Sequence, residues 1–422
     1  MVNDEGGSPE VVVEVPRPHP DPGRPPRLLA IRPLLWLVLA EGLANVAMWL
    51  FFVAAEGDAA FRFAASPAQF GVFMAAYSAA FLVTSPLAGM VADRWSPKRL
   101  LLLTAAGTLV PLAVAAVAPS IGWLYVSSTL YGAAQAVSWP AQGALIPLLV
   151  PGHRLVQANG VMGLAWQVPL VFGPALAAAL VRTVGSDGPY VAAAAALVLA
   201  LPLYAAIPDR RSERRPGERF LADLAGGFRE AWRRPALRGV FVVAAAAYLL
   251  LGVAITLEAV YVREVLRRGQ DFLGILWSLN GAGAVLGSLA LARMRGGAGR
   301  EPLLVAAGLA GGGIGYVLYV GTASPVVAAA GSFLFGAGFT FFSSPAEALI
   351  QRVAEQPGKV TSVYAMLGEG GPLGTALVIA AAGALVAVQP WLVWSAAAFA
   401  VLGGVALVVA RRVRAPQAAA RT

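Results

Sequence analysis

The chain has no cysteine among its 422 residues, which excludes disulfides and thiolate metal sites. Its two histidines, His19 and His153, cannot build a metal centre by themselves. Charge is scarce as well: 13% of the residues are Asp, Glu, Lys or Arg, where a soluble domain carries about a quarter. No stretch reads G-x-x-x-x-G-K-[ST], so there is no ATP-binding loop of that kind. With no Ser/His/Asp constellation near a membrane face either, neither an enzymatic role nor a bound cofactor is expected. The opening segment, Met1 to Arg32, is polar and proline-rich without an early apolar core. It does not read as a signal peptide but as a disordered cytoplasmic tail.

What the chain has is apolar length. Hydrophobic residues make up 58% of it, the mean hydropathy is +0.71, and runs of about 20 apolar residues span a bilayer as helices. Twelve such runs are expected: 33–55, 69–91, 99–118, 121–149, 156–182, 189–207, 237–262, 271–294, 302–321, 325–351, 359–387 and 390–410. The largest hydrophilic interruption, Pro208 to Arg238, divides them six and six. The expected organisation is a tail at 1–32, a first six-helix bundle at 33–207, a cytoplasmic linker at 208–236, a second bundle at 237–410 and a tail at 411–422. With the N-terminus inside, only Arg62, Arg182, Arg263, Arg267 and Arg268 fall outside, and 31 − 5 leaves 26 basic residues on the inner side. That bias predicts cytoplasmic termini. The net charge of +9 is then spread over loops that face anionic lipid, and nucleic acid is not an expected partner.

Two weak echoes relate the halves. Tyr131-Gly132-Ala133 in span 4 matches Phe335-Gly336-Ala337 in span 10, an offset of 204 (335 − 131). Further along, Ser138-Trp139-Pro140-Ala141-Gln142 parallels Ser343-Ser344-Pro345-Ala346-Glu347 once one residue is skipped. Parallel halves with a site between them are a known transporter layout.

The eleven residues Gly89 to Arg99 form a charged knot between two apolar runs. The knot resembles the loop between helices 2 and 3 of the major facilitator superfamily, G-x-x-x-D-R-x-G-R-[RK]. Gly89, Asp93, Arg94 and Lys98 match, while Ser96 stands for the usual Gly and Pro97 for the usual Arg. The resemblance implies an all-α polytopic membrane protein of 12 transmembrane helices in two six-helix bundles, commonly monomeric. It also implies that Asp93 and its basic neighbours meet the end of helix 11 and stabilise one access state. In span 5, Gly173-Pro174 followed by Ala-Leu-Ala-Ala resembles the G-P-x-x-G-G element of drug/proton antiporter-type exporters, with Ala177 and Ala178 for the closing glycines. The short loops and Asn159-Gly160 add a likeness to exporters of siderophores, macrolides and other drugs. Gly173 and Pro174 also make physical sense as a kink that seals one side of a cavity.

A carboxylate deep in a span is costly and usually functional. Glu41 lies about 12 Å into span 1 and Glu369 about 15 Å into span 11, at about 1.5 Å per residue. No Lys or Arg lies within the interior of any span. An acid in hydrocarbon without a basic partner favours its protonated form, as a proton-coupling group must. The alternative is a protonated acid bonded to a neighbouring helix. Glu258 and Glu347, nearer span ends, read as interfacial. The glycine- and proline-rich run Gly368 to Gly374 around Glu369 suggests a locally broken helix. By analogy with the family, the lining helices supply Asn45, Trp49, Gln135, Trp139, Gln142, Trp166, Gln167, Tyr248, Asn280 and Tyr364 as candidate binding residues. Aromatic surface with a few amides and only acids buried suits a hydrophobic or cationic small molecule. The expectation is therefore proton-driven export, with Glu41 and Glu369 coupling. Movement of a lipid or a nutrient by the same fold, or a transport-inactive sensor or scaffold, stays open on the sequence.

Overall fold

The computed structural model describes residues 31–92, 95–151, 154–210, 220–294 and 300–419. Among these residues there are thirteen α-helices and no strand. The first half contains α1 (Arg32–Gly57), α2 (Pro67–Ala92), α3 (Pro97–Ala116), α4 (Ile121–Leu149), α5 (Leu155–Thr183) and α6 (Gly188–Ala206). After α7 (Phe220–Arg233) come α8 (Pro235–Glu264), α9 (Gln270–Arg293), α10 (Glu301–Val320), α11 (Pro325–Val353), α12 (Pro357–Ala382) and α13 (Val388–Ala419). Among the described residues, eleven helices are long and apolar enough to cross a membrane. The twelfth, α4, has the length, but Ser127, Ser128, Gln135, Ser138 and Gln142 dilute its apolar character. Spans 1–6 are α1–α6, and spans 7–12 are α8–α13.

Local chemistry explains several boundaries. Ser96 and Pro97, the two departures from the family loop, start α3. The Ser96 hydroxyl accepts from the backbone N–H of Arg99 at 3.4 Å, and Pro97 takes the first helical position, where its missing N–H costs nothing. Helix α12 stops at Ala382 rather than 387 because Gly383 turns at φ 57° into a short 3-10 turn. The interval 208–236 is not simply a hydrophilic linker: it contains α7. Leu224, Phe228, Ala231 and Trp232 recur there at helical spacing and give one apolar face. The other end of α7 is fixed by charge, with Asp223 2.7 Å from Lys359 of α12. The expected tail at 1–32 falls outside the described residues up to residue 30.

The helix pairing repeats between the halves. Pairs α1–α5, α1–α6, α2–α4, α3–α4 and α3–α6 have counterparts in α8–α12, α8–α13, α9–α11, α10–α11 and α10–α13. The two most closely packed pairs that cross between halves, α2–α12 and α5–α9, also exchange under the same operation. The sequence echo is part of this symmetry. A Cβ on Gly132 would lie 2.3 Å from the Tyr77 carbonyl oxygen of α2, and one on Gly336 2.0 Å from that of Asn280 in α9. One turn earlier, Ser128 donates to the Phe73 carbonyl at 3.1 Å and Ser332 to the Leu276 carbonyl at 2.9 Å. Each half thus brings two helices to backbone contact with the same glycine and serine.

Candidate functional site between the two halves

The molecule has two faces, distinguished by their loops. The basic face carries the α2–α3 loop and α7; the opposite face carries the α1–α2 and α8–α9 loops. Along the seam, α2 meets α12 and α5 meets α9 from the middle toward the opposite face. A Cβ on Gly71 would lie 2.6 Å from the Ala376 carbonyl oxygen, and one on Gly274 2.4 Å from that of Pro174. Polar ties close the same end. Arg182 of α5 donates to Asp271 of α9 at 2.8 Å from Nε. Arg263 of α8 donates to the carbonyls of Ala60 and Ala65 at 2.5 and 3.0 Å. Gln270 of α9 donates to the Val53 carbonyl at 3.1 Å.

The basic face is tied within each half. Lys98 donates to the Ala205 carbonyl at 2.6 Å, Arg99 to Asp209 at 3.1 Å and Arg210 to the Leu148 carbonyl at 2.8 Å. In the second half, Arg234 donates to the Val353 carbonyl at 2.7 Å, and Arg352 to Glu301 at 3.1 Å. Helices α4 and α11 do not form a packed pair across the seam. Of the expected gating residues, Asp93 and Arg94 lie outside the described residues, and Gly89 falls within α2. Lys98 meets the end of α6 in this structure, not the end of α12. Gly173 and Pro174 do stand at the closed end. The Trp49 Cβ would be 2.7 Å from a Cβ on Gly173, and the Pro174 carbonyl takes the close approach of Gly274.

The two deep carboxylates part company. Glu369, partly buried, accepts from the Ser78 hydroxyl at 3.3 Å, a contact from α2 to α12 that crosses between halves. Glu41 is 4% exposed and accepts from the Tyr204 hydroxyl of α6 at 3.0 Å, inside the first half. The broken helix expected around Glu369 is absent: α12 runs unbroken through Pro372. Its glycines serve packing instead, since a Cβ on Gly371 would lie 2.7 Å from the Tyr248 backbone. Glu258, expected at the interface, is held from two helices. The Tyr319 hydroxyl of α10 donates to it, and Trp277 Nε1 of α9 donates to it at 2.8 Å. Glu347 is exposed near the basic-face end of α11.

Contacts divide the ten candidate binding residues into groups. Trp49 meets Trp277 of the other half edge-on at 5.6 Å, and Trp139 meets Trp166 edge-on at 5.3 Å. Tyr248 meets Tyr364 at 6.1 Å, with Phe342 at the same distance from Tyr248. The amides are less available. Asn45 donates to the Glu41 carbonyl of its own helix, Gln135 to the Met48 sulfur and Asn280 to the Ser332 carbonyl. Gln142 is buried with Nε2 unpaired, while Gln167 is exposed. Sequence reasoning missed Glu56, a buried acid that sits one residue past the expected end of span 1.

Twelve membrane-length helices in two symmetric halves, with polar groups at the seam, define a membrane transporter. The profile of the Major Facilitator Superfamily matches residues 37–372, and the chain belongs to that family. The chain is 23% identical over 328 residues to the uncharacterized MFS-type transporter YfiS of Bacillus subtilis (strain 168), covering 75% of this chain and 78% of that one. It is 27% identical over 261 residues to the tetracycline resistance protein, class C, of Escherichia coli, covering 59% and 63%. Among solved structures, the nucleoside transporter NupG superposes with a TM-score of 0.72 at 12% identity, over 89% of this chain and 99% of that one. A bacterial homologue of the human lysosomal transporter Spinster, inward-facing and unoccupied, gives 0.65 at 17% identity over 90% and 95%.

Proposed function

We propose that this chain is a monomeric secondary transporter of the cell membrane. It exports a hydrophobic or cationic small molecule by proton antiport with alternating access, its basic face cytoplasmic. The observation that carries the reading is the bond from Ser78 to Glu369 across the seam. A bond between halves must break and re-form whenever the halves rock about a central site. An acid at that point, with no basic side chain in the interior of its span, gains or loses a proton in step with the motion. Glu369 is the better placed of the two deep acids, because Glu41 spends its carboxyl on Tyr204 within one half. The tetracycline-resistance relative supports export, and the aromatic groups around Trp49, Trp139 and Tyr248 support an amphiphilic cargo. With α2–α12 and α5–α9 joined toward the opposite face, the described state reads as open to the cytoplasm. The test is proton flux in proteoliposomes challenged with lipophilic cations and neutral drugs. Substrate-stimulated proton movement is expected. Vesicles in which no substrate moves protons, and in which a pH gradient leaves uptake unchanged, end the reading.

A further inference from the structure

Helix α7 belongs to neither set of six spans. Its 14 residues are too few to cross a bilayer, yet it lies where a span enters one. Asp223 is 2.7 Å from Lys359, where the candidate span Lys359–Ala382 begins. A Cβ on Gly227 would lie 2.5 Å from the Lys359 carbonyl oxygen. One turn on, Glu230 accepts from the backbone N–H groups of Glu355 and Gln356, the latter at 3.3 Å. Three successive turns of α7 are thereby fastened to the start of α12.

The helix divides lengthwise into three strips. At about 100° per residue, Asp223, Gly227, Glu230 and Ala231 face α12, and Ala231 is 1% exposed. Phe228 and Trp232 occupy the next strip, 55% and 51% exposed, with their rings stacked at 5.8 Å and 14°. Arg229 and Arg233 fill the third; both are exposed, and among the described residues neither pairs with an acid. Arg234, by contrast, turns inward to Glu230 and the Val353 carbonyl. Both acids of α7 are spent on the protein, and the charge it presents outward is positive.

We infer that α7 docks on the anionic lipid surface of the leaflet at the basic face, with Phe228 and Trp232 among the upper acyl chains and Arg229 and Arg233 at the lipid phosphates. A stacked aromatic pair left in water forfeits the burial of its outer surface. A helix lying in the interface instead sinks its apolar strip about 5–10 Å into the boundary between headgroups and acyl chains. The guanidinium groups one strip over then reach headgroup level on flexible stems, where the surface potential of anionic lipid attracts them. A soluble protein is the competing occupant; the level of the strip, set by Lys359 at the entry of a span, favours lipid. Docked in this way, α7 fixes the depth of α12, and of its seam with α2, relative to the leaflet. Calling that leaflet cytoplasmic rests on the proposed function; the docking does not.

The test uses the full chain, which contains no cysteine, with a nitroxide label at Ala225→Cys or at Ala222→Cys. Both positions are exposed; Ala225 borders the aromatic strip and Ala222 shares the arginine strip. The protein is reconstituted in vesicles of phosphatidylcholine with and without phosphatidylglycerol. Power-saturation EPR compares relaxation by oxygen with relaxation by a water-soluble nickel chelate. The Ala225 label is expected to be reached by oxygen and shielded from nickel, and the Ala222 label to be open to nickel. Adding phosphatidylglycerol moves the Ala225 label deeper, salt reverses the move, and Arg229→Gln/Arg233→Gln abolishes it. Should that variant fail to fold, the salt titration of the labelled chain decides the same point. Two labels equally open to nickel in both lipids overturn the docking and leave the aromatic pair to a soluble partner. A depth that ignores lipid charge and salt overturns it too. Neither cargo nor a pH gradient is present. Docking without substrate-stimulated proton flux therefore refutes antiport alone, and flux with both labels in water refutes the docking alone.

Discussion

The opposite face and the basic face are built from the ends of the same helices, yet they are held in different ways. At the opposite face the contacts run between halves: Arg182 to Asp271, Arg263 to the α1 end, Gln270 to Val53, and glycine-to-backbone approaches at Gly71 and Gly274. At the basic face the ties at Lys98, Arg99, Arg210 and Arg234 stay within a half. The difference separates two jobs. Contacts within a half hold a rigid body together; contacts between halves specify which way the bodies lean. A mutation's effect on conformation therefore depends on which kind of contact it touches.

The largest expected effect comes from a wedge in the seam. Gly274→Leu sets a branched side chain against the Pro174 carbonyl, where even a Cβ would be 2.4 Å away. Overpacking of this kind costs about 1–3 kcal/mol, but here the halves can relieve it by parting. Spin labels at Ser120→Cys and Ala323→Cys, exposed positions of the opposite face in each half, are expected to lose most of the short-distance population in pulsed EPR while thermal stability changes little. The same substitution at Gly132, inside one half, has no such escape and lowers the unfolding temperature instead. Identical behaviour of the two variants would dissolve the distinction between faces.

A smaller effect is expected from Asp271→Asn. The Arg182 side chain is 65% exposed, and an exposed ion pair contributes about 0.2–1 kcal/mol. The closed population falls by up to about fivefold in the same distance measurement, and the change shrinks as salt is added. The smallest belongs to the basic face. The Ser96 hydroxyl, with Arg99 and Lys98, holds the Asp209 carboxyl below its ordinary 3.8. A lowered folded-state value stabilises the fold above the unfolded value and loses that contribution as pH falls through the folded one. Asp209→Asn should cost on the order of 0.2 kcal/mol at neutral pH, given solvent screening of an exposed group. In calorimetry at successive pH values the gap from wild type closes in acid, and the distances at the opposite face stay unchanged.

The helices were legible because apolar length and turn residues act locally. The expected spans 121–149 and 156–182 became Ile121–Leu149 and Leu155–Thr183. The repeat was legible for a physical reason too, since Gly132 and Gly336 each permit a backbone contact that a side chain would forbid. Helix α7 was hidden because its 14 residues are too short a run to cross a bilayer and charges interrupt them, which reads as a polar linker. Glu56 and Glu258 were hidden because depth along one helix says nothing about what the next helix brings. An acid near a span end is hydrated at a free helix terminus but enclosed where two halves meet. Glu41 and Glu369 looked alike for the same reason. Only Tyr204 on one side and Ser78 on the other separate them.

The most direct test compares Glu369→Gln with Glu41→Gln and wild type in proteoliposomes carrying an imposed pH gradient. Substrate binding is measured in parallel on the same preparations. If the seam acid couples protons to motion, Glu369→Gln retains binding and loses gradient-driven transport, whereas Glu41→Gln keeps a substantial part of it. Gradient-driven transport at the wild-type rate in Glu369→Gln would contradict the account, and the Ser78 contact would then be packing between two halves that are driven from elsewhere.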